Sequence, residues 1–205
     1  MAKTYSEVIF DIETQNFFDD TGTYNPADLS PSVISLFTRR LDDQFIQISG
    51  QMISFWVGSL DDMWKYFQGA DRIIGFNSKG FDVPVLARYA PQNFVKLPHF
   101  DILDFVKESS GRRVSLNKIA KDTLGNTKTD SGANAVLYWQ KHDSESLFKL
   151  QSYCEADVAI TRDIYDFGLK NKFLKFTDHW NNPRRIEVDF SYSQNTSHSA
   201  QPSLF

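Results

Sequence analysis

The sequence predicts an α/β domain, a central mixed β-sheet flanked by α-helices, and three observations point to it. Short apolar runs bounded by turn residues fill the first third of the chain. Strand and helix patterns then alternate through the middle. After Gly111 the apolar residues fall three and four apart, the spacing of helices that cover a sheet. A length of 205 residues suits one such domain better than two, and a 41% hydrophobic content with eighteen Phe can fill its core.

Each element follows from local chemistry. Residues 7–14 read as a buried strand, because Val8, Ile9 and Phe10 run directly into Asp11. Residues 16–31 are polar and carry Gly22, Pro26 and Pro31, so they read as a loop. Residues 33–38 and 45–56 are two further strands, the second with imperfect alternation. Residues 60–68 suit a short helix with Asp61 or Asp62 near its start, and residues 72–76 a short strand. Residues 78–89 read as a helix; Pro84 is tolerated where few amide bonds are lost. Residues 96–103 hold a short strand ending near Asp101. Ser115 caps a helix through Leu116, Ile119, Ala120 and Leu124 that Gly125 closes. Residues 133–140 form a short helix. Residues 144–174 form the longest one, with Leu150, Tyr153, Cys154, Asp157, Val158 and Thr161 on one face. Residues 186–190 make a last strand. From Ser193 the chain is rich in Ser, Gln and Asn, so the domain is expected over residues 1–192, with a loose tail over 193–205.

Composition narrows the function. A net charge of -4 lacks the basic footprint of a tight, nonspecific duplex binder. Cys154 stands alone, which excludes a disulfide framework and a thiolate metal site. The sequence has no run of 18 apolar residues to span a membrane and no apolar signal segment over residues 1–7. A cytoplasmic protein is expected.

Three short motifs carry the chemistry. Asp11 and Glu13 are two apart on a strand, so both carboxylates face one side and Ile12 the other. Their mutual repulsion is relieved by a hard divalent ion with oxygen ligands, although a strand end with a solvated Glu13 fits the pair equally well. Asn77-x-x-x-Phe81-Asp82 follows a strand, where Asn77 can fix the connection, Phe81 pack and Asp82 open a helix. Tyr153 and Asp157 are four apart and share a helical face. The ordinary alternatives are a first-turn cap for Asp82 and an ion pair of Asp157 with Arg162.

In that order, the three motifs resemble those of the DEDD superfamily of 3'-5' exonucleases, tyrosine-containing branch, within the ribonuclease H-like fold. The resemblance spans residues 7–166 and is closest to stand-alone prokaryotic members and the exonuclease domain of family B DNA polymerases. It implies a nuclease that removes nucleoside 5'-monophosphates from a free 3' end, with Asp11, Glu13, Asp82, Tyr153 and Asp157 as catalytic residues. By the same resemblance, Asp11, Glu13 and Asp157 hold one divalent ion, Mg2+ or Mn2+. Asp11 also touches a second ion, which Asp82 serves through water. Tyr153 orients the attacking water, a role suited to a phenol of ordinary pKa near 10. His142 and the other three histidines do not match the tyrosine's position and read as structural or surface groups.

Thr14 and Asn77 are candidates to touch the substrate, as are, from a loose basic region that also holds Lys128 and lies beside the helix start at Ser115, Arg112, Arg113, Lys118 and Lys121. An ordinary solvated helix explains the last four equally well. Trp56, Trp64, Trp139 and Tyr138 are candidates for base stacking. Asp101 and Asp104 suit helix capping and turns. Residues 16–31 either reach over the active site or form a surface insertion. A single-stranded end is the expected partner, and DNA is favoured over RNA only by the polymerase-domain likeness. A monomer is the simplest state, with any polymerase, helicase or processivity factor a separate chain. The competing readings are a catalytically weak nucleic-acid binding module and a structure-specific endonuclease of the same fold class.

Overall fold

The first apolar run of the chain becomes β1 (Tyr5–Thr14), the middle strand of a five-stranded sheet. A computed structural model of the protein describes residues 3–125 and 132–192. β2 (Pro31–Leu41) pairs antiparallel with β1, and β3 (Gln47–Trp56) antiparallel with β2 at one edge. β4 (Arg72–Gly75) and β5 (His99–Asp101) continue the other side in parallel. The sheet is therefore mixed, as its sequence pattern predicts.

Alternation along β1 sorts the core into two layers. Val8, Phe10 and Ile12 pack with Met63, Phe67, Val83 and Leu86, on the side of α2 (Trp64–Gln68) and α3 (Asp82–Leu86). Ile9 joins Val158, Ile164 and Tyr165 of α7 (Ser144–Asn171) and Ile119 of α5 (Leu116–Leu124) on the other. α6 (Gly132–Lys141) packs on α7 through Ala135, Leu150 and Cys154. The end signals of α5 act as expected: Ser115 accepts the Lys118 N–H and Gly125 takes a left-handed φ of 75°.

Several boundaries differ from the expectation, each for a local reason. The long helix stops at Asn171 because Lys172 turns left-handed, with φ 63°. Residues Phe173–Thr177 then form β6, paired with β7 (Pro183–Glu187), which begins earlier than the predicted 186–190. α4 (Ile102–Ser110) follows β5 directly, because Asp101 caps it by accepting the Leu103 N–H at 2.9 Å. The predicted strand over 96–103 is correspondingly short, and the helix over 78–89 contracts to α3. Residues 16–31 contain a single helical turn, α1 (Phe18–Thr21), and a 3-10 turn over Pro26–Asp28. The tail predicted from Ser193 lies outside the described residues, as does Lys128 of the basic region. Among the described residues no helix is long and apolar enough to cross a membrane.

A buried polar clamp ties the C-terminal part of the chain to the start of β1. Glu7 is fully buried on the face that carries Ile9. Arg39 donates from Nε to Glu7 at 2.8 Å and from both Nη groups to Asp166 at 2.9 and 2.6 Å. The hydroxyls of Tyr165 and Tyr192 donate to the other Glu7 oxygen at 2.9 and 2.7 Å. Arg72 donates to the Phe190 carbonyl at 2.6 Å and lies over the Tyr192 ring. Gly168 lets this stretch close in, since a Cβ there would collide with the Phe190 ring.

Candidate metal centre

The face of β1 that carries Glu7 and Ile9 ends in Asp11 and Glu13, turned toward α7. Pairing with β2 shifts register between Ile12 and Thr14, an irregularity that re-aims side chains at the strand end. α7 supplies Asp157. One carboxylate oxygen from each of Asp11, Glu13 and Asp157 lies within 4.8 Å of the other two. Glu13 and Asp157 are buried and Asp11 partly so. Arg162, offered by the sequence as a partner for Asp157, instead pairs with Asp163 at 2.7 Å and lies over the Phe37 ring. An all-oxygen, like-charged, half-buried donor set fits Mg2+ or Mn2+.

The contact between β1 and α7 is keyed by polar groups. The Cys154 thiol donates to the Asp11 carbonyl at 3.4 Å, and burial with the nearby charges of Asp11 and Glu13 pushes its pKa up. Ser35 and Ser54 share a hydrogen bond of 2.9 Å, and Ser54 donates to Glu155 at 2.7 Å. Gln151 donates to the same Glu155 oxygen at 2.8 Å. These bonds hold α7 across β1, β2 and β3 through Cys154 and Glu155, between Tyr153 and Asp157.

Asp82 comes from the opposite layer and stands outside that group of three oxygens, although its carboxyl feels the charge of Asp157. It opens α3, is 4% exposed, and accepts its own backbone N–H and that of Ile12. Burial, with the charges of Asp101 and Asp157, pushes its carboxyl up to about 7, against the pull of those amides. The loop before it is fixed by Asp101, whose oxygens accept the N–H groups of Asn77 at 2.7 Å and Lys79 at 3.0 Å. Gly75 allows this loop to fold back on β4, because a Cβ there would collide with Ser78.

A carboxyl whose folded pKa is raised stabilises the fold fully below its ordinary value of 3.8, and that contribution is lost as pH rises through about 7. The metal-free protein should therefore melt lower at pH 8 than at pH 5, with Mg2+ or Mn2+ restoring more at pH 8. Thermal melts of wild type and Asp82→Asn, in chelator and in metal, check this. The variant should show a flatter pH dependence; identical profiles for the two proteins would refute the assignment.

Tyr153 stands one turn before Asp157. Burial, the charges of Asp157, Glu13 and Asp11, and a hydrogen bond to the Asp157 carboxylate all raise its pKa, so the phenol keeps its proton. It packs with Val33, Ala135 and Leu150 of the small cluster between α6, α7 and β2. A model of the RNase_H superfamily matches residues 8–167, most of the chain. The chain belongs to the RNase H superfamily. No curated protein matches it.

The RNase H superfamily domain brings some of the expected substrate residues to the centre and leaves others apart. Thr14 borders it, with its hydroxyl donating to the Asn16 carbonyl at 3.1 Å. Asn77 supports the turn in a left-handed conformation, φ 65°, and its Oδ1 accepts from Arg113 at 2.8 Å. Arg113 therefore lies at the rim, with the exposed Arg112 beside it. Lys118 and Lys121 line a separate groove together with Thr177 and Asn181. Residues 16–31 border the centre: Phe17 and Phe18 join Glu13, Thr14, Phe81 and Val136 around a largely apolar cavity of about 330 Å³. Sequence reasoning passed over Phe17 and Phe18, although two aromatics in a polar loop were a signal. It assigned Phe81 to packing, and Phe81 both meets the Phe18 ring and lines the cavity. Asp101 was read as a cap, and it also holds the Asp82 loop.

Proposed function

We propose that this RNase H superfamily protein is a metal-dependent 3'-5' exonuclease that shortens single-stranded nucleic acid and releases nucleoside 5'-monophosphates. The observation that carries the reading is Tyr153, protonated and hydrogen-bonded to Asp157, beside Asp11 and Glu13. This matches the motif order of the tyrosine-containing DEDD exonucleases that the sequence resembles. Asp11, Glu13 and Asp157 would hold one divalent ion, and Asp11 with Asp82 would serve a second. When bound, such ions supply a nucleophile at neutral pH and neutralise charge on the leaving 3' oxygen.

The remaining work falls to the chain. Tyr153 donates a hydrogen bond to Asp157, which leaves its oxygen lone pairs to accept from an incoming water. The phenol thus orients the water without taking its proton. The apolar cavity beside Glu13 has aromatic walls for one unpaired terminal base, which favours a frayed or single-stranded end. Arg113, at the rim, meets the adjoining phosphate. DNA is the preferred substrate on the polymerase-domain likeness. A monomer in the cytoplasm is the working state, and any polymerase, helicase or processivity factor is a separate chain.

A time course with 5'-labelled single-stranded DNA and its RNA counterpart, in Mg2+, Mn2+ or chelator, tests the reading. A metal-dependent ladder that shortens from the 3' end is expected. Cleavage of a circular single strand would instead indicate an endonuclease, and binding without cleavage a binding module. Tyr153→Phe should lower kcat by roughly 10–100-fold, the scale of a lost orienting hydrogen bond. Its rate should keep the wild-type pH dependence between pH 8 and 10, because the phenol does not ionise there. A basic limb that disappears in the variant would make Tyr153 a general base and contradict the assigned role.

A further inference from the structure

The β6–β7 ribbon lies beyond residues 8–167, the part matched to the RNase H superfamily. The turn that joins its strands carries Trp180, which is 67% exposed, whereas Trp64 is buried and Trp56 and Trp139 are half-buried and stacked together. A single exposed apolar residue is ordinary. This one is held in place. Asp178, itself buried, accepts the N–H groups of Trp180 at 2.9 Å and Asn182 at 3.0 Å, and the Nε of Arg184 at 2.8 Å. The His179 ring lies against the indole, with centroids 3.5 Å apart. The turn therefore presents an indole face at a fixed position, so little freedom remains to be lost on binding.

α5 packs against this ribbon. Thr123 donates to the Lys175 carbonyl at 3.0 Å and accepts its N–H at 2.9 Å, while Asp122 accepts the Thr177 N–H. Between helix and turn runs an open groove lined by Ser115, Lys118, Lys121, Thr177 and Asn181, with the Asp122 carboxylate also in its wall and engaged by the Thr177 N–H. The two lysines are three apart on one face of α5 and turn two cations toward it in a chain of net charge -4. One end of the groove is tied to the loop that carries Asp82. Ser115 is two residues from Arg113, which donates to Asn77 in the loop that carries Asp82. From Ser115 to Lys121 the helix rises roughly 9 Å at about 1.5 Å per residue.

We propose that the α5 face and the β6–β7 turn form a track for the single strand upstream of the reacting end, with Trp180 stacking on a base and Lys118 and Lys121 meeting phosphates. An indole face accepts any unpaired base, and two lysines neutralise phosphates without reading sequence, so the ligand class is single-stranded nucleic acid of any sequence. The proposal rests on the nuclease reading of the metal centre for the direction in which the strand lies.

Fluorescence anisotropy with a labelled 12-nucleotide single strand, DNA and RNA, measured in chelator, tests it without cleavage. Trp180→Ala should weaken binding about tenfold, the scale of one lost stacking contact. Lys118→Glu with Lys121→Glu should weaken it further and flatten the dependence of log affinity on log salt by about one to two. Tryptophan emission should fall on addition of the single strand to wild type and change less in Trp180→Phe, a variant that keeps an aromatic side chain at the turn. Binding indifferent to Trp180 and both lysines, or equal quenching by a blunt duplex, would overturn the track. Trp180-dependent binding without any metal-dependent cleavage would sink the nuclease reading and leave the track standing. Cleavage with Trp180-independent binding would do the reverse.

Discussion

Asp157→Asn is expected to lower turnover in the proposed exonuclease reaction about a thousandfold or more while making the metal-free protein more stable. The two effects share one origin. Asp157 lies within 4.8 Å of carboxylate oxygens from Asp11 and Glu13, and its charge also raises the Asp82 carboxyl. An amide of the same shape keeps an acceptor for the Tyr153 hydroxyl but removes one negative charge from the cluster. A divalent ion then binds more weakly, and several kcal/mol of charge stabilisation in the transition state are lost. At about 1.4 kcal/mol per tenfold, that corresponds to roughly three decades in rate. Without metal the same change relieves repulsion, so the melting temperature in chelator should rise. Single-turnover kinetics, Mn2+ titration and melts in chelator check the three signs together. Near-wild-type turnover, or a melting temperature that falls in chelator, would contradict the assembly of the centre described above.

Arg39→Met should cost about 3–5 kcal/mol of stability, the range for stripping a buried charge of its partner. Glu7 has no solvent exposure, and its remaining donors, Tyr165 and Tyr192, are neutral. The second arm of Arg39, to Asp166, adds little, because that carboxylate is 43% exposed and screened by water. Denaturant unfolding measures the loss. Adding Glu7→Gln to Arg39→Met should recover part of it, since no orphaned charge then remains. If the double variant is no more stable than Arg39→Met, the cost comes from lost packing around the guanidinium instead.

Both predictions depend on how much of the architecture is written locally. The side of β1 that carries Asp11 and Glu13 was legible, because alternation on a strand needs no tertiary information. The shared face of Tyr153 and Asp157 was legible for the same reason, at the helical period. The end of α7 was not, because Lys172 supplies a left-handed stop without glycine and Phe173 and Leu174 continue the apolar spacing. α4 was hidden because Asp101 ends one element and caps the next in consecutive residues. The RNase H superfamily assignment agrees with the three-motif resemblance but is coarser than it. Contacts distant in sequence left no periodic trace. Arg113 on Asn77, the Glu7 clamp and the exposure of Trp180 could be found only once the chain had folded. The sequence drew attention to Lys118 and Lys121 by charge alone, and their groove came from β6, whose first two residues had been merged into a helix and whose remainder had gone unassigned.

β1 carries both ends of this arrangement on one face: Glu7 in the clamp, then Asp11 and Glu13 in the metal centre. α7 answers with Asp166 and Asp157, and Tyr192 closes the clamp. On the ribosome, Asp11, Glu13 and Asp82 emerge well before Asp157, and at about 5–20 residues per second the wait from Glu13 to Asp157 is on the order of ten seconds or more. A nascent chain thus carries an incomplete ligand set throughout that interval. Hydrolytic competence would arise only when α7 docks, when most of the domain has been synthesised, and the half-made protein would be inactive toward any nucleic acid.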